Sequence, residues 1–493
     1  MSMIKIENLT FSYPTSYDNI FENVNIQLDT DWKLGFVGRN GKGKTTLLNL
    51  LLGKYEYSGK IYSSVQFDYF PYPVKDKSKN TNEIFFEVAP AAEEWELMRE
   101  LSYLDMEADV LYRPFETLSN GEQTKVLLAA LFCNEGHFLL IDEPTNHLDL
   151  NARKIVAAYL NKKKGYILVS HDRSFLDGCV DHILSLNRAD IEIQSGNFLS
   201  WMANFERQQE YELAQNESLQ KDISRLQQAA KQSATWSARV ENSKTGGTRN
   251  SGSKLDKGYV GHKAAKLMKR SRTIEKRQQQ AVRQKSGLLR NMESVENLKI
   301  SPLTYHANTL VSFSDIAICY DGNIVNEPVS FSVQCGDRVA LDGKNGSGKS
   351  SLLKILAGES IEHTGMIQKG AGLMISYIPQ DTSHLSGMLS DFADENHIDE
   401  SLFKAILRKM NFERIQFEKN IQDFSDGQKK KVLIAKSLCE QAHLYVWDEP
   451  LNYIDIYSRM QIEKLIKEFS PTMVFVEHDS TFRETIATKI IRL

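Results

Sequence analysis

One glycine-rich pattern occurs twice in this chain. GRNGKGKT runs from Gly38 to Thr45 and GKNGSGKS from Gly343 to Ser350, an offset of 305 residues. LSNGEQ at Leu118 and FSDGQ at Phe424 lie 306 apart, as do Asp142 in LLIDEP and Asp448 in YVWDEP. His171 in VSHD and His478 in VEHD lie 307 apart, and so do Tyr13 and Tyr320. Matches at nearly one offset require a duplicated domain. The 493 residues divide into a first copy over 1–204, a middle segment over 205–300 and a second copy over 301–493.

Each copy alternates short apolar runs with amphipathic stretches. KLGFVG and RVALDG read as strands entering a glycine loop, with TTLLNLLLG and SSLLKILAG as the helices that follow. FLLID and YILVS are short enough for buried parallel strands. The expected fold class is therefore α/β, two such domains joined by a long α-helical hairpin linker. Residues 82–112 and 385–420 read as a helical subdomain in each copy.

G-x-x-x-x-G-K-[ST] between a strand and a helix is a phosphate loop, whose backbone amides and helix N-terminus cradle phosphates. In the first copy the cradle is Gly38, Arg39, Asn40, Gly41, Lys42, Gly43, Lys44, Thr45 and Thr46. In the second it is Gly343, Lys344, Asn345, Gly346, Ser347, Gly348, Lys349, Ser350 and Ser351. Lys44 and Lys349 reach for the β- and γ-phosphates, and Thr45 and Ser350 for Mg2+. Asp142 and Asp448 end apolar strands, where a carboxylate holds the same ion through water. Glu143 and Glu449 follow directly and point elsewhere, placing them to polarise the attacking water. His171 and His478 end another strand; the choice is between a polar cap and a γ-phosphate contact, and their place in both copies favours the contact. Tyr13 and Tyr320 stack on adenine or belong to the core.

Five scattered cysteines without a CxxC pair indicate reduced, buried thiols in a cytoplasmic protein. MSMIKIENLTF carries no basic-then-apolar leader, and KVLLAALFCNEGHFLL, the longest apolar stretch, is interrupted by Glu135 and His137. No membrane span is expected. The net charge of -4 hides a split: residues 221–290 hold 18 Lys or Arg against 4 Asp or Glu, and the remainder is strongly acidic. A basic middle between acidic ends points to a polyanionic partner.

The order of aromatic, phosphate loop, LSxGE/Q signature, DEP and HD, given twice, resembles the ATP-binding cassette ATPases over almost the whole chain. LSNGEQTKVLLAALF and IDEPTNHLDL look most like the ABC-F class, which has two cassettes, no transmembrane domain and a linker that enters the ribosome. WDEPLNYIDIYSRMQIEKL and the basic linker are similar to its antibiotic-resistance branch, most of all the Lsa-type ribosomal protection factors. That resemblance implies an ATP hydrolase using ATP and Mg2+. It implies a monomer whose cassettes pair head to tail, with no membrane and no transmembrane partner. One ATP then lies between Gly38–Thr46 and the signature residues Ser425, Gly427 and Gln428, the other between Gly343–Ser351 and Ser119, Gly121 and Glu122. The implied partners are the 70S ribosome, with its 23S rRNA and P-site tRNA; the implied role is ejection of lincosamides, streptogramins A and pleuromutilins. A housekeeping translation factor, a DNA-associated ATPase and the motor of a transporter are the rival readings. The two sites depart from the pattern unequally. Gln380, the expected Mg2+-contacting glutamine, aligns with Tyr72 in the first copy, and the signature facing that first site carries Asp426 in a glycine position. The first helical subdomain has no long insertion and the sequence stops soon after KIIRL, so an added arm or tail is not expected.

From Phe205 to about Val240 the chain is polar with few breakers, and Leu219, Ile223 and Leu226 fall at helical spacing. From Lys263 to about Asn291 a second helix is expected, with Leu267, Ile274, Ala281 and Leu288 every seven residues. Narrow seams of this kind suit an antiparallel hairpin with its tip at about 240–262. Lys244, Arg249, Lys254 and Lys257 in the tip, and Lys263, Lys266, Lys269 and Arg270 beyond it, are the candidate RNA contacts. Tyr259 or His262 stacks on a base or packs in the hairpin. A solvated spacer is the bland reading, but solvation does not need so one-sided a charge. If about six RNA phosphates are neutralised, binding should weaken roughly 10²–10³-fold between about 50 and 200 mM salt. Filter binding across that range checks it, and a flat response rules out the electrostatic footprint.

Overall fold

The central strands are runs of Val, Ile, Leu and Phe because both faces of each sheet are covered. The structure, a computed structural model, describes residues 2–14, 19–146, 148–186, 191–242, 298–320, 322–344 and 346–493, with single positions at 266, 269, 273, 276 and 277. In the first copy the sheet order is Gln66–Phe70, His137–Asp142, Tyr166–Val169, Lys33–Gly38, His182–Leu186 and Ile191–Ser195. All pairs are parallel except the last. The second copy repeats the order with Ile375–Ile378, Leu444–Asp448, Met473–Val476, Arg338–Asp342 and Lys489–Arg492, all parallel. The duplication seen in motif spacing is thus a duplication of topology.

An antiparallel sheet accompanies each parallel one. Met3–Phe11 pairs with Phe21–Asp29 and Ser58–Tyr62, and Thr309–Tyr320 pairs with Asn323–Ile324, Val329–Gln334 and His363–Lys369. Between the first antiparallel sheet and its parallel partner runs the helix Lys44–Leu51. Its Leu47, Leu48 and Leu51 join one core with Ile6, Leu28, Phe36 and Ile167. Each such leucine contributes about 1.5–3 kcal/mol by leaving water.

Short helices follow the first half of each copy: Thr81–Val88 and Glu94–Tyr103 in one, Leu389–Glu395 and Glu400–Lys409 in the other. They pack on longer helices, Asn120–Leu131 and Asp426–Cys439. In the second copy Phe403, Ile406, Leu407 and Met410 bury against Val432, Leu433 and Leu438. The thiols differ from expectation: Cys179 is buried, but Cys335 is exposed, because it lies just past the end of the strand Val329–Gln334.

The middle segment is a separate unit. Its helix runs Phe198–Asn242, 45 residues, or about 68 Å at 1.5 Å per residue. It begins before the expected Phe205, because nothing after Gly196 (φ +123°) breaks it. Leu219, Ile223 and Leu226 fall within it, and Lys266 and Lys269 are helical. The expected tip, with Lys244, Arg249, Lys254, Lys257, Tyr259 and His262, lies outside the described residues, as do Lys263, Arg270 and the seam Leu267, Ile274, Ala281 and Leu288.

A buried ion pair ties the second copy together. Lys431 on the helix Asp426–Cys439 reaches Asp455 at 2.8 Å and donates to the Met410 carbonyl at 2.9 Å. Asp455 also caps the helix Ile456–Phe469 by accepting from Ser458 N at 3.0 Å. Burial pushes the Asp455 carboxyl up, but Lys431 and the Ser458 amide win and hold it far below the usual carboxylate range. A depressed carboxylate stabilises the fold above its unfolded value of about 4 and loses that contribution as pH falls further. Lys431→Met leaves a buried carboxylate without its cation, so it should cost about 3–5 kcal/mol at neutral pH, and less below about pH 4. Denaturant melts at the two pH values measure this; a neutral-pH cost below about 1 kcal/mol, the scale of an exposed pair, rejects it.

Candidate nucleotide sites

Each phosphate loop begins where a central parallel strand ends. The strand Lys33–Gly38 turns through Gly43 (φ +104°) into the helix Lys44–Leu51, and Arg338–Asp342 turns through Gly348 (φ +84°) into Lys349–Ala357. A Cβ on Gly43 would meet Ile20 Cγ2 at 2.6 Å, so the turn needs glycine for both space and backbone angle. Lys44 Nζ donates to the Gly38 carbonyl at 2.8 Å, and Lys349 Nζ to those of Gly343 and Lys344 at 2.8 and 2.7 Å. Burial lowers the proton affinity of both lysines, against the pull of nearby carboxylates.

The loops of one copy meet the signature of the other. A cavity of about 640 Å³ is lined by Tyr13, Asn40, Gly41, Gly43, Lys44, Thr45 and Thr46 from the first copy, with Asp142, Glu143 and His171. Ser425, Asp426, Gly427 and Tyr453 of the second copy close it. A second cavity of about 740 Å³ is lined by Gly346, Gly348, Lys349, Ser350, Ser351, Tyr320, Gln380, Glu449 and His478, and closed by Ser119, Gly121 and Glu122. Asn345 lies outside the described residues. Gly427 sits so close to the other loop that an added Cβ would stand 2.4 Å from the Tyr453 carbonyl and 3.1 Å from Asn40 Nδ2. Asn40 itself donates to that carbonyl at 2.7 Å.

Several expected contacts go elsewhere. Arg39 lies over the Tyr457 ring at 5.5 Å and Lys42 pairs with Glu413 at 3.0 Å, so both side chains address the second copy. Gly38, Gly343, Lys344, Ser347, Gln428 and Asp448 do not line the cavities. Gln428 Oε1 accepts from the Ser425 amide at 3.0 Å, and Glu122 closes the same turn on Ser119. These capping boxes explain the S-x-x-E/Q spacing of both signatures. Tyr13 and Tyr320 share hydrogen bonds with Thr46 and Ser351 at 2.9 and 2.8 Å, which ties each ring to its loop. Tyr72 does not line the first site; it lines a separate cavity of about 290 Å³ behind Asp142 and Glu143.

The two acid pairs are held differently. Glu143 and Glu449 both have left-handed backbones, φ +49° and +47°, which turn each carboxylate away from the preceding Asp. Glu449 Oε2 accepts from Gln380 Nε2 at 2.9 Å and Asn452 Nδ2 at 2.6 Å, and Oε1 meets His478 Nε2 at 3.0 Å. Burial pushes its carboxyl up, but His478 and Gln380 outweigh that and hold it below its ordinary value. Glu143 stands 3.4 Å from His171 Nε2 and has Tyr72 where Gln380 would be. Burial and then the Asp142 charge push it up to about 8. Asp142 accepts from Thr45 Oγ1 at 3.0 Å and Tyr69 Oη at 3.2 Å. Asp448 is fully buried, and burial raises its carboxyl to about 6 with Ser350 opposing. A hydroxyl beside a carboxylate in each copy is a hard oxygen donor set, which fits a divalent cation such as Mg2+. The Asn452 contact was readable in the sequence: Asn146 and Asn452 share the offset of 306. The left-handed turn left no such signal.

The family model described as ABC transporter matches residues 21–146 and 326–452, and the chain belongs to that family. It carries two of the family's ATP-binding domains, the equipment of an ATP hydrolase. It is 26% identical over 505 residues to the ribosome protection protein VmlR of Bacillus subtilis (strain 168), covering 99% of this chain and 87% of that one. It is also 26% identical over 522 residues to the ATP-binding protein Uup of Buchnera aphidicola subsp. Acyrthosiphon pisum (strain APS), covering 99% and 80%. These relatives are ABC-F-like. In fold it is similar to the archaeal ribosome recycling factor aABCE1 solved with the stalk protein aP1, at TM-score 0.65 and 18% identity, over 98% of this chain and 87% of that one. It is likewise similar to a structure of RNase-L Inhibitor, at TM-score 0.62 and 19% identity, over 99% and 87%. Among the described residues no helix is long and apolar enough to cross a membrane.

A carboxylate with three donors is ready to accept a proton; one whose charge is disfavoured by burial and by the neighbouring Asp142 is less so. Glu449→Gln should therefore lower ATP turnover by about 10²-fold or more, the worth of a positioned base, and Glu143→Gln by less. Phosphate-release assays on the two variants decide it, and equal losses reject it.

Proposed function

We propose that this protein is a ribosome-associated ATPase of the antibiotic-resistance branch of ABC-F. In this reading it enters the tRNA exit region of the 70S ribosome when ATP-bound and displaces the P-site tRNA. Lincosamides, streptogramins A and pleuromutilins then leave the peptidyl-transferase region. The observation that carries the reading is the combination of two cavities walled by both copies with a strongly basic segment between those copies in sequence. The first feature makes nucleotide occupancy and closure one event. The second suits RNA and not a lipid span. A relative named for ribosome protection, matched over nearly the full length, supports the drug role.

The residues divide the work by charge. Lys44 and Lys349 leave their loop carbonyls for the β- and γ-phosphates, and the loop amides supply the remaining donors. Ser425 and Gly427, or Ser119 and Gly121, approach the γ-phosphate at a helix start, where the dipole favours an anion. Thr45 with Asp142, and Ser350 with Asp448 and Gln380, would hold Mg2+, which supplies positive charge to the phosphate oxygens when bound. Glu449 polarises the attacking water and His478 steadies the γ-phosphate; Glu143 and His171 do so less effectively. Tyr13 and Tyr320 stack on adenine. Loss of the γ-phosphate removes the bridge between the copies and lets them part.

The test is sedimentation of the Glu143→Gln, Glu449→Gln double variant with purified 70S ribosomes and ATP. The variant should bind ATP, hydrolyse almost none, pellet with ribosomes more than wild type, and release a prebound radiolabelled lincosamide. No enrichment in the pellet defeats the ATP-gating model. Enrichment without drug release assigns the protein to the housekeeping class instead.

A further inference from the structure

The contacts between the two copies are not reciprocal around their histidines. In the second copy His478 touches Glu449, and the next residue, Asp479, has a side chain with no exposed surface. Asp479 Oδ1 caps the helix Ser480–Ile486 by accepting from Phe482 N at 3.1 Å, and Oδ2 accepts from Arg459 of its own copy at 3.1 Å. The first copy adds two arginines to this short stretch. Arg173 lies 3.5 Å from Asp479 Oδ2 and makes a bidentate pair with Glu463, one bond of it at 3.2 Å. Arg153 Nη1 donates to the His478 carbonyl at 3.5 Å while it binds Asp172 of its own copy at 2.8 Å.

The mirror image of the Arg173 contacts cannot form. At the offset of 307 the counterpart of Arg173 is Ser480, and at 306 the counterpart of Glu463 is Ala157. Ser480 reaches across only as far as the Ser174 hydroxyl, at 3.2 Å. Among the described residues Arg459 donates to the Ile454 and Leu451 carbonyls and to Asp479, all of its own copy. Cations of the first copy therefore hold the backbone that carries His478; Arg459, the counterpart of Arg153 at the offset of 306, acts on His171 and Glu143 through its charge, but the fork of Arg173 on two carboxylates has no equivalent beside His171.

We infer that Arg173 is a positioning residue for the site built on Lys349: it fixes Asp479, and through it His478, only while the two copies are together. Arg173 touches neither cavity, so its action is indirect. A guanidinium fork on two carboxylates fixes direction as well as charge. When the copies separate, Asp479 keeps Arg459 alone, and the histidine loop loses its brace from the partner copy. This site then fires from the closed pair and idles in the open one, whereas the site built on Lys44 lacks a guanidinium fork of this kind from the other copy. The inference rests on the composite sites proposed above.

The experiment measures single-turnover ATP hydrolysis by full-length protein in two backgrounds, Glu143→Gln to isolate the Lys349 site and Glu449→Gln to isolate the Lys44 site. Arg173→Met should lower the rate in the first background by about tenfold or more with KM nearly unchanged, since an ångström's misplacement costs up to about 10²-fold. In the second background the rate should stay within about twofold, and Arg173→Lys should recover only part of the first loss, because it keeps the charge and loses the fork. Should Arg173→Met fail to fold, Glu463→Lys, which sets two cations against each other, is expected to give the same selective loss. Equal losses in both backgrounds, a loss confined to KM, or no loss overturns the inference. Unchanged hydrolysis when Ser119→Arg is placed in the Glu143→Gln background would instead overturn the composite-site reading on which it stands.

Discussion

The parallel pairing of three strands in each copy sets the geometry of everything else. In the first copy Val169 is in register with Phe36 on one side and Asp142 on the other; in the second, Val476 pairs with Asp448 and Phe475 with Ala340. The phosphate loop, the acid pair and the histidine all leave the sheet at its carboxyl edge, within a residue or two of that line. A slip of one residue would turn each acid to the opposite face. The buried Val, Leu and Phe side chains on both faces make such a slip costly, so ordinary hydrophobic packing enforces the precision of the site.

Much of this was legible in the sequence because phosphate chemistry is carried by contiguous residues. A loop that must present amides, a lysine and a hydroxyl writes itself as G-x-x-x-x-G-K-[ST], and a carboxylate at a strand end shows as an acid after an apolar run. The family, the α/β class and the repeat followed from those patterns. Contacts that depend on the other copy did not. The loop pattern places Arg39 and Lys42 in the phosphate cradle, but does not show that their side chains face Tyr457 and Glu413, more than 370 positions away. Arg173 and Glu463 carry no pattern at all, since an ion pair between distant segments is visible only when both are folded. The start of the helix at Phe198 is not legible, because polar, breaker-free sequence does not mark its own beginning.

The inequality of the two sites has one physical root. A carboxylate taken out of water either loses its charge or finds donors. Around Glu449 three side chains supply them. Around Glu143 the glutamine position is a tyrosine that faces another cavity, and the histidine stands farther off. The same residue type is therefore pushed in opposite directions in the two copies: burial and the Asp142 charge raise Glu143, while His478 and Gln380 lower Glu449. The fused chain permits this, because each half can drift without imposing the same change on the other.

The left-handed backbone at Glu143 and Glu449 has a further consequence. A side chain with a Cβ pays about 1–2 kcal/mol to sit there, and glycine would sit there freely. At Glu449 the bonds from Gln380, Asn452 and His478 offset that strain, since glycine would orphan three donors. At Glu143 the offset is smaller, so the strained turn there is held mainly by the surrounding sheet. The position where the first carboxylate stands is thus the one where the molecule keeps itself less durable than its own scaffold allows.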